Sequence, residues 1–269
     1  MAEFKPRVVK KDDLYGEKGY TLKQIKPNVY QFDSGRAGSH VYLILGDHLN
    51  ILVDSGLVSK FNSLTHLLTT EIGIKVEDIN LIINTHEHFD HVSNNCFFKC
   101  MIAAHRAAGT KIKNSDELIT KAKLWSVDLT DFHIDMWLED RNVFDLGSVV
   151  LDVIHTPGHT SGSICLFEAI KGFMFTGDTL FKGMPPNIYE SGSVAELLNS
   201  LHTLQALKIR NFFPGHGACV FEPAEVETEI SNALEQAKHS LNAYIDHIRS
   251  QPLEKARPPP SLYDREPEP

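Results

Sequence analysis

INTHEHFDHVSNN, residues 83–95, sets three histidines, a glutamate and an aspartate within six consecutive positions, directly behind the apolar run Leu81-Ile82-Ile83. A short apolar run bounded by turn residues predicts a buried strand. The lone-pair donors therefore fall in the loop that leaves a strand end. If that loop begins extended, alternate residues share a side, so His86 and His88 point one way while Asp90 and His91 turn elsewhere as the chain curls. The arrangement recurs downstream: VIHT runs into Pro157-Gly158-His159, FMFTG into Asp178, and NFF into Pro214-Gly215-His216. Strand ends on one edge of a sheet converge in space, so seven ligand-type side chains are expected to meet. Imidazole nitrogen and carboxylate oxygen suit zinc at about 2.0–2.2 Å, and the inventory fits two metals better than one. Gly158 and Gly215 are expected to let the backbone approach those metals without a side-chain clash.

The chain has 269 residues, 42% of them hydrophobic. That is enough for one large core, and a single domain over residues 1–250 is expected. Lys and Arg total 26 against 35 Asp and Glu, a net charge of -9, and no basic stripe stands out. Nucleic acid is therefore disfavoured as a partner and a small-molecule substrate is expected. The opening MAEFKPRVVKKDDLYGEK mixes both charge signs and lacks the apolar stretch of a signal peptide or membrane span. A soluble, cytoplasmic protein with no membrane partner is expected. Cys96, Cys100, Cys165 and Cys219 are too few for a disulfide scaffold and read as buried or free thiols.

Residues 28–56 alternate β-branched or aromatic runs with Gly, Asn and Asp turns, which predicts a β-meander. In residues 57–73, Leu57, Phe61, Leu64 and Leu68 recur at helical spacing and Gly73 closes the segment. Residues 115–139 read as helical, within an insertion near 106–139. Its Trp125, Phe132, Met136 and Trp137 either fill core or roof a substrate pocket. SVVLDVIHT, SICLF and GFMFTG read as strands, and Ser193 to Glu196 as a capping box opening a helix. Residues 222–249 carry an apolar stripe at Val226, Ile230, Ala233, Ala237, Leu241 and Ile248. Packing on the domain and packing against a second copy in a homodimer explain that stripe equally well. Residues 251–269 are Pro-rich and charged, which predicts a disordered tail.

THEHFDH resembles the H-x-H-x-D-H signature of the metallo-β-lactamase superfamily. TPGHTSGS, FTGDTLF and FPGHG resemble its next three ligand motifs, in the same order, over roughly residues 28–220. The resemblance implies an α/β (α+β) fold: a four-layer αββα sandwich with two internal sheets and the site at one edge. Carried over position by position, it implies that His86, His88 and His159 hold one metal and Asp90, His91 and His216 a second, with Asp178 bridging. Zinc, two per chain, is the implied metal, with iron or manganese as alternatives. Asp54 in LVDSG stands where the superfamily has a buried acid supporting the site. The best-known zinc β-lactamases carry cysteine at the position of Asp178, which argues against β-lactam hydrolysis. The flavodiiron branch has glutamate where His88 stands, and the nuclease branches usually add an RNA-clamping arm or a large inserted domain, which neither the length nor the acidic charge supports. His40, His48, His66, His105, His133, His202, His239 and His247 have no motif around them and read as surface or core. His155 reads either as a support for the site or as a strand histidine.

Within the superfamily, glyoxalase II (hydroxyacylglutathione hydrolase) is the nearest resemblance. GDTLFKGMPPNIYESGS places Tyr189 where that branch has a glutathione-contacting tyrosine. Asn187 replaces its lysine, and Pro185-Pro186 its Cys-Gly pair. The resemblance implies a di-zinc hydrolase of thioesters or esters, in which a hydroxide shared by the metals attacks the carbonyl and Asp90 is catalytic, orienting that hydroxide and moving its proton. An acyl-homoserine lactonase or other lactone hydrolase is the alternative, suggested by the long insertion. Many such lactonases have a tyrosine three residues past the bridging aspartate, where this chain has Phe181. A reading from another reaction class is a persulfide dioxygenase holding one iron by two histidines and an aspartate. GMPPNIYE lacks that branch's Gly-Cys-Gly-Arg-like element.

Overall fold

The computed structural model describes residues 7–9, 19–114, 116, 120, 132–188 and 191–250. Trp125, Tyr189 and the expected tail at 251–269 lie outside them.

Leu81–Asn84 is buried throughout, with Leu81 and Ile83 in one apolar cluster and Ile82 in another. A strand covered on both faces needs a layer on each side. The first sheet holds eight strands in chain order. They are β1 (Arg7–Val9), β2 (Thr21–Lys26), β3 (Val29–Asp33), β4 (Val41–Leu45), β5 (Asn50–Val53), β6 (Leu81–Asn84), β7 (Met101–His105) and β8 (Met136–Leu138). Neighbours from β1 to β5 are antiparallel, which includes the expected meander; from β5 to β8 they are parallel.

The second sheet contains β9 (Val143–Asp145), β10 (Val150–His155), β11 (Ile164–Glu168), β12 (Phe173–Gly177) and β13 (Asn211–Pro214), in the order β13-β12-β11-β10-β9. Only β12 and β13 pair in parallel. The crossover between them is α4 (Val194–Ala206), after α1 (Phe61–Leu67), α2 (Phe89–Val92) and α3 (Arg106–Lys113), and before α5 (Pro223–Ser250).

Between the sheets, Tyr42, Ile44, Ile51, Val53 and Ile83 meet Leu151, Val153, Leu166, Phe175 and Phe213. The Tyr42 ring lies 5.0 Å from Phe175 and 6.1 Å from Phe213, and its hydroxyl donates to the Pro214 carbonyl at 2.6 Å. Each large buried apolar side chain here contributes about 1.5–3 kcal/mol. On the outer face of the first sheet, Leu64, Leu67 and Leu68 cover Leu43, Leu52 and Ile82. On the outer face of the second, Leu197, Leu201, Leu204, Val226, Ile230 and Leu234 cover Phe167, Met174 and Phe212. The result is the four-layer αββα sandwich.

The local expectations for the helices are met in most respects. The 57–73 segment is helical, and its last turn, Leu68–Ile72, ends on Gly73 at φ +85°. Ser193 caps α4 by accepting from Glu196 N, but Ser193 N donates to the Gly158 carbonyl, so the reciprocal half of the expected capping box is not formed. The final helix opens on Pro223, a position where the missing amide hydrogen costs nothing. Its stripe is buried from Val226 to Ala237, so packing on the domain accounts for that part, while Tyr244 and Ile248 are exposed. Among the described residues no helix is long and apolar enough to cross a membrane.

The helical expectation for 115–139 fails at its C-terminal end. Residues 136–138 form strand β8, paired with Ala103–His105. Asp135 N donates to the Ile102 carbonyl, and the Asp135 carboxylate accepts from Ile102 N at 2.9 Å. Open ladder positions on β7 outweigh local helical spacing. Most of the rest of that stretch, residues 115, 117–119 and 121–131, lies outside the described residues.

Candidate metal centre

Five strands deliver the site, all at one edge of the sandwich. β5 ends in Asp54, β6 in the loop carrying His86 to His91, β10 in that of His159, β12 in Asp178 and β13 in that of His216. Phe89 and Val92 pin the first loop by burying against Leu57, Ile112 and Phe132. His88 keeps extended dihedrals, φ −65° and ψ 142°, as it enters α2. The loop therefore starts extended, and His86 Nε2 comes within 3.0 Å of His88 Nδ1. His159 Nε2 lies 3.0 Å from the same His88 nitrogen. The donor atoms of His86, His88, His159 and Asp178 all fall within 4.8 Å of one another, as do those of Asp90, His91 and His216. Asp178 lies between the two groups, 3.5 Å from His159 Nε2, from His91 Nε2 and from His216 Nε2.

The tautomers follow from the outer partners. A carbonyl only accepts, so His159 Nδ1, 2.6 Å from the Asn187 carbonyl, carries its hydrogen. His91 Nδ1 donates to Asp54 Oδ2 at 2.8 Å. The Thr85 hydroxyl donates to that same oxygen at 2.8 Å and so accepts from His86 Nδ1 at 3.1 Å. In the neutral form of all three rings Nε2 is left as a lone pair aimed into the cluster. Asp54 completes its role by accepting from Thr85 N at 2.7 Å, and it does so in a left-handed conformation, φ +58°.

This donor set fits a pair of metal ions. Ring nitrogens facing each other at 3.0 and 3.3 Å cannot all share protons. Tetrahedral ligation at about 2.0–2.1 Å puts neighbouring nitrogens roughly 3.3 Å apart. Asp178 Oδ1 is buried without a hydrogen-bond partner among the described residues, the state of an oxygen reserved for a cation.

The electrostatics agree. Burial, with the neighbouring His159, pushes His88 down to about 3, and burial beside His91 and His88 holds His86 well below the ordinary histidine value. Burial also opposes a charged His91, but the carboxylates of Asp54, Asp178 and Asp90 prevail and lift it to about 10, so without a cation Nε2 carries a proton that a metal ion would displace. For Asp90 burial favours the acid, yet His91 and His216 hold it well below the usual carboxylate range. His86 and His91 are fully buried, whereas the Asp90 and His216 side chains keep 19% and 32% exposure. Among the described residues the cluster is open to solvent over Asp90 and His216.

The two glycines behave differently. A Cβ on Gly215 would lie 2.3 Å from Asp178 Oδ1 and 2.6 Å from His91 Cε1, so this glycine does admit the backbone to the cluster. A Cβ on Gly158 would instead meet Leu197 Cα at 2.5 Å. That glycine, at φ +149°, serves the approach of α4 rather than of the cluster.

Several supports carry no sequence motif. The Ser39 hydroxyl donates to the Asp90 carbonyl at 2.7 Å. His40 N donates to Gly215 O at 2.7 Å, and His40 Nε2 donates to Gly217 O at 2.8 Å, so residue 40 holds both sides of His216. Its Nδ1 accepts from Ser34 N at 3.0 Å. The only hint in the sequence is that Ser39-His40 lies just ahead of β4. His155 stacks on His105 with centroids 3.8 Å apart and contacts the Ser161 carbonyl at 3.1 Å. It supports the His159 loop at one remove. Tyr189 lies outside the described residues, and Asn187 reaches the site through its carbonyl rather than its side chain.

The family model described as metallo-beta-lactamase superfamily matches residues 34–216. A protein of Methanocaldococcus jannaschii named "Probable metallo-hydrolase" is 37% identical over 188 residues, covering 66% of this chain and 87% of its own. The hydroxyacylglutathione hydrolase of Maricaulis maris is 28% identical over 193 residues, 68% of this chain and 63% of that protein's length. Among solved structures, a metallo-beta-lactamase family protein from Thermus thermophilus aligns with a TM-score of 0.68 and 22% identity, covering 82% of each chain. With motifs, layers and donor geometry all in place, the chain belongs to the metallo-β-lactamase superfamily.

Proposed function

We propose that the protein is a two-metal hydrolase of thioesters or related esters, with zinc at both positions. The observation that carries this reading is the position of Asp178, within 4.0 Å of histidines from both donor groups. When bound, two such metals supply an activated water at neutral pH and a Lewis acid for the carbonyl. Asp90 stands at the open rim, 3.3 Å from His216 Nε2 and ionised. It is placed to orient an attacking water, accept its proton and return that proton to the leaving thiolate. Asp54 and the Asn187 carbonyl keep His91 and His159 in the tautomers that aim lone pairs inward. Phe181 adds an apolar ring 6.3 Å from the His216 ring, with no hydroxyl to offer a lactone oxygen. This favours the thioester over the lactone. Similarity to a hydroxyacylglutathione hydrolase supports the same choice.

The test is thiol release from S-lactoylglutathione by zinc-loaded protein. Turnover should vanish in Asp90→Asn with its zinc retained. A two-zinc protein that leaves this substrate intact would exclude the glutathione thioester and direct the search to other acyl thioesters. Full turnover in a zinc-retaining Asp90→Asn would remove Asp90 from the chemistry.

A further inference from the structure

We infer that Glu87, the residue between two of the cluster histidines, forms with Lys111 a brace that positions the His86–His88–His159–Asp178 group alone. The inference rests on the two-metal reading above. Glu87 is 0% exposed, yet it faces away from the donor cluster. Its Oε1 accepts from Lys111 Nζ at 2.5 Å and from the Ser191 hydroxyl at 3.1 Å, and its Oε2 accepts from the Thr160 hydroxyl at 2.9 Å. Lys111 also donates to the Ser161 hydroxyl at 2.6 Å.

One carboxylate thus ties together four pieces of chain. They are the loop of His86 and His88, the loop that follows His159, helix α3, and the segment just after Tyr189. Each is remote in sequence: Glu87 is 24 residues from Lys111, 73 from Thr160 and 104 from Ser191. None of these partners touches Asp90, His91 or His216, which are held by Asp54, Ser39 and His40 instead. The Glu87 brace reaches only the first donor group, while the one link between the supports of the two groups is Thr85, which joins His86 to Asp54 and through it to His91. Supports of this kind set ligand orientation and shift metal affinity by about 10–100-fold. A fully buried carboxylate is costly without its part-buried ammonium partner, so removal of either undoes the brace.

Zinc per chain, zinc affinity by competition with a chromophoric chelator, and the visible spectrum of cobalt-substituted protein would be compared for wild type, Glu87→Gln, Lys111→Met and Ser191→Ala. Wild type should hold two metals. Glu87→Gln and Lys111→Met should bind one normally and the other about 10–100-fold more weakly. Ser191→Ala should shift the same metal by less. Adding His216→Ala to Glu87→Gln should weaken the remaining metal as well. Two metals bound at wild-type affinity in both Glu87→Gln and Lys111→Met would overturn the brace, and equal weakening of both metals would overturn its selectivity. If Glu87→Gln does not fold, Lys111→Met and Ser191→Ala decide by the same criteria. A wild-type chain that takes up no metal would sink the two-metal reading itself, a different outcome from unaltered variants of a two-metal protein.

Discussion

Asp54 holds a backbone conformation that costs a non-glycine residue of order 1–3 kcal/mol. The strain is offset by three hydrogen bonds, two to Thr85 and one to His91. Asp54→Asn should therefore fold, but its amide lets the His91 ring choose the wrong tautomer. Zinc affinity of the Asp90–His91–His216 group should fall about 10–100-fold, as read by chelator competition. His40 offers a pH-dependent counterpart. Burial holds its imidazole neutral and pushes it down to about 4, against a partial pull upward from Asp33. A histidine depressed in the folded state contributes stability above its unfolded value, near 6.5, and that stability is lost as pH falls toward 4. Over that window the metal-free protein should lose about 3 kcal/mol through this group. Denaturant titrations at pH 7 and pH 4.5 should differ less in His40→Asn than in wild type. An equal difference in both would assign the acid sensitivity elsewhere.

Loops at the ends of β6, β10, β12 and β13 were predictable because ligand chemistry restricts which residues can stand there, and because apolar runs announce the strands that precede them. β8 was not. Met136-Trp137-Leu138 is apolar at a spacing compatible with either element, and only the open edge of β7 makes it a strand. The supports were equally hidden. His40 meets Gly217 across 177 residues, and Lys111 meets Glu87 across 24, with no motif marking either pair. Gly215 shows how closely an element's backbone serves the site. It lacks the left-handed dihedral that would make any side chain strained, so the cost of Gly215→Ala lies in the clash at the cluster, and the melting temperature of the metal-loaded protein should fall. The added methyl would displace Asp178 or His91, and kcat should drop about 100-fold. Retention of wild-type kcat would mean that the β13 loop shifts freely, contrary to its bonds with Gly177 and His40.

The molecule as a whole is two sheets clasped at the site edge by groups that repel one another or stay unsatisfied in the absence of a cation. Metal removal should cost stability in proportion to occupancy. Zinc at a hundred times its dissociation constant contributes about 2.7 kcal/mol per site. For a chain of this size a chelator should lower the melting temperature by roughly 5–10 °C for each site emptied. An unchanged melting temperature after chelation would mean that the cluster binds no metal in the native state. The sandwich itself was legible through the resemblance of the four ordered motifs to the superfamily. Which face each helix covers was not, because that depends on pairings between residues far apart in the chain. The same remoteness sets a timetable. His91 and His216 stand 125 residues apart and belong to different sheets, so the nitrogens 3.3 Å apart cannot meet until both sheets have formed and docked. Contacts of such long range are assembled late and slowly. In a refolding experiment with cobalt present, the visible absorption of the completed centre should rise only with the slowest phase, after the far-ultraviolet signal of the strands and helices has returned.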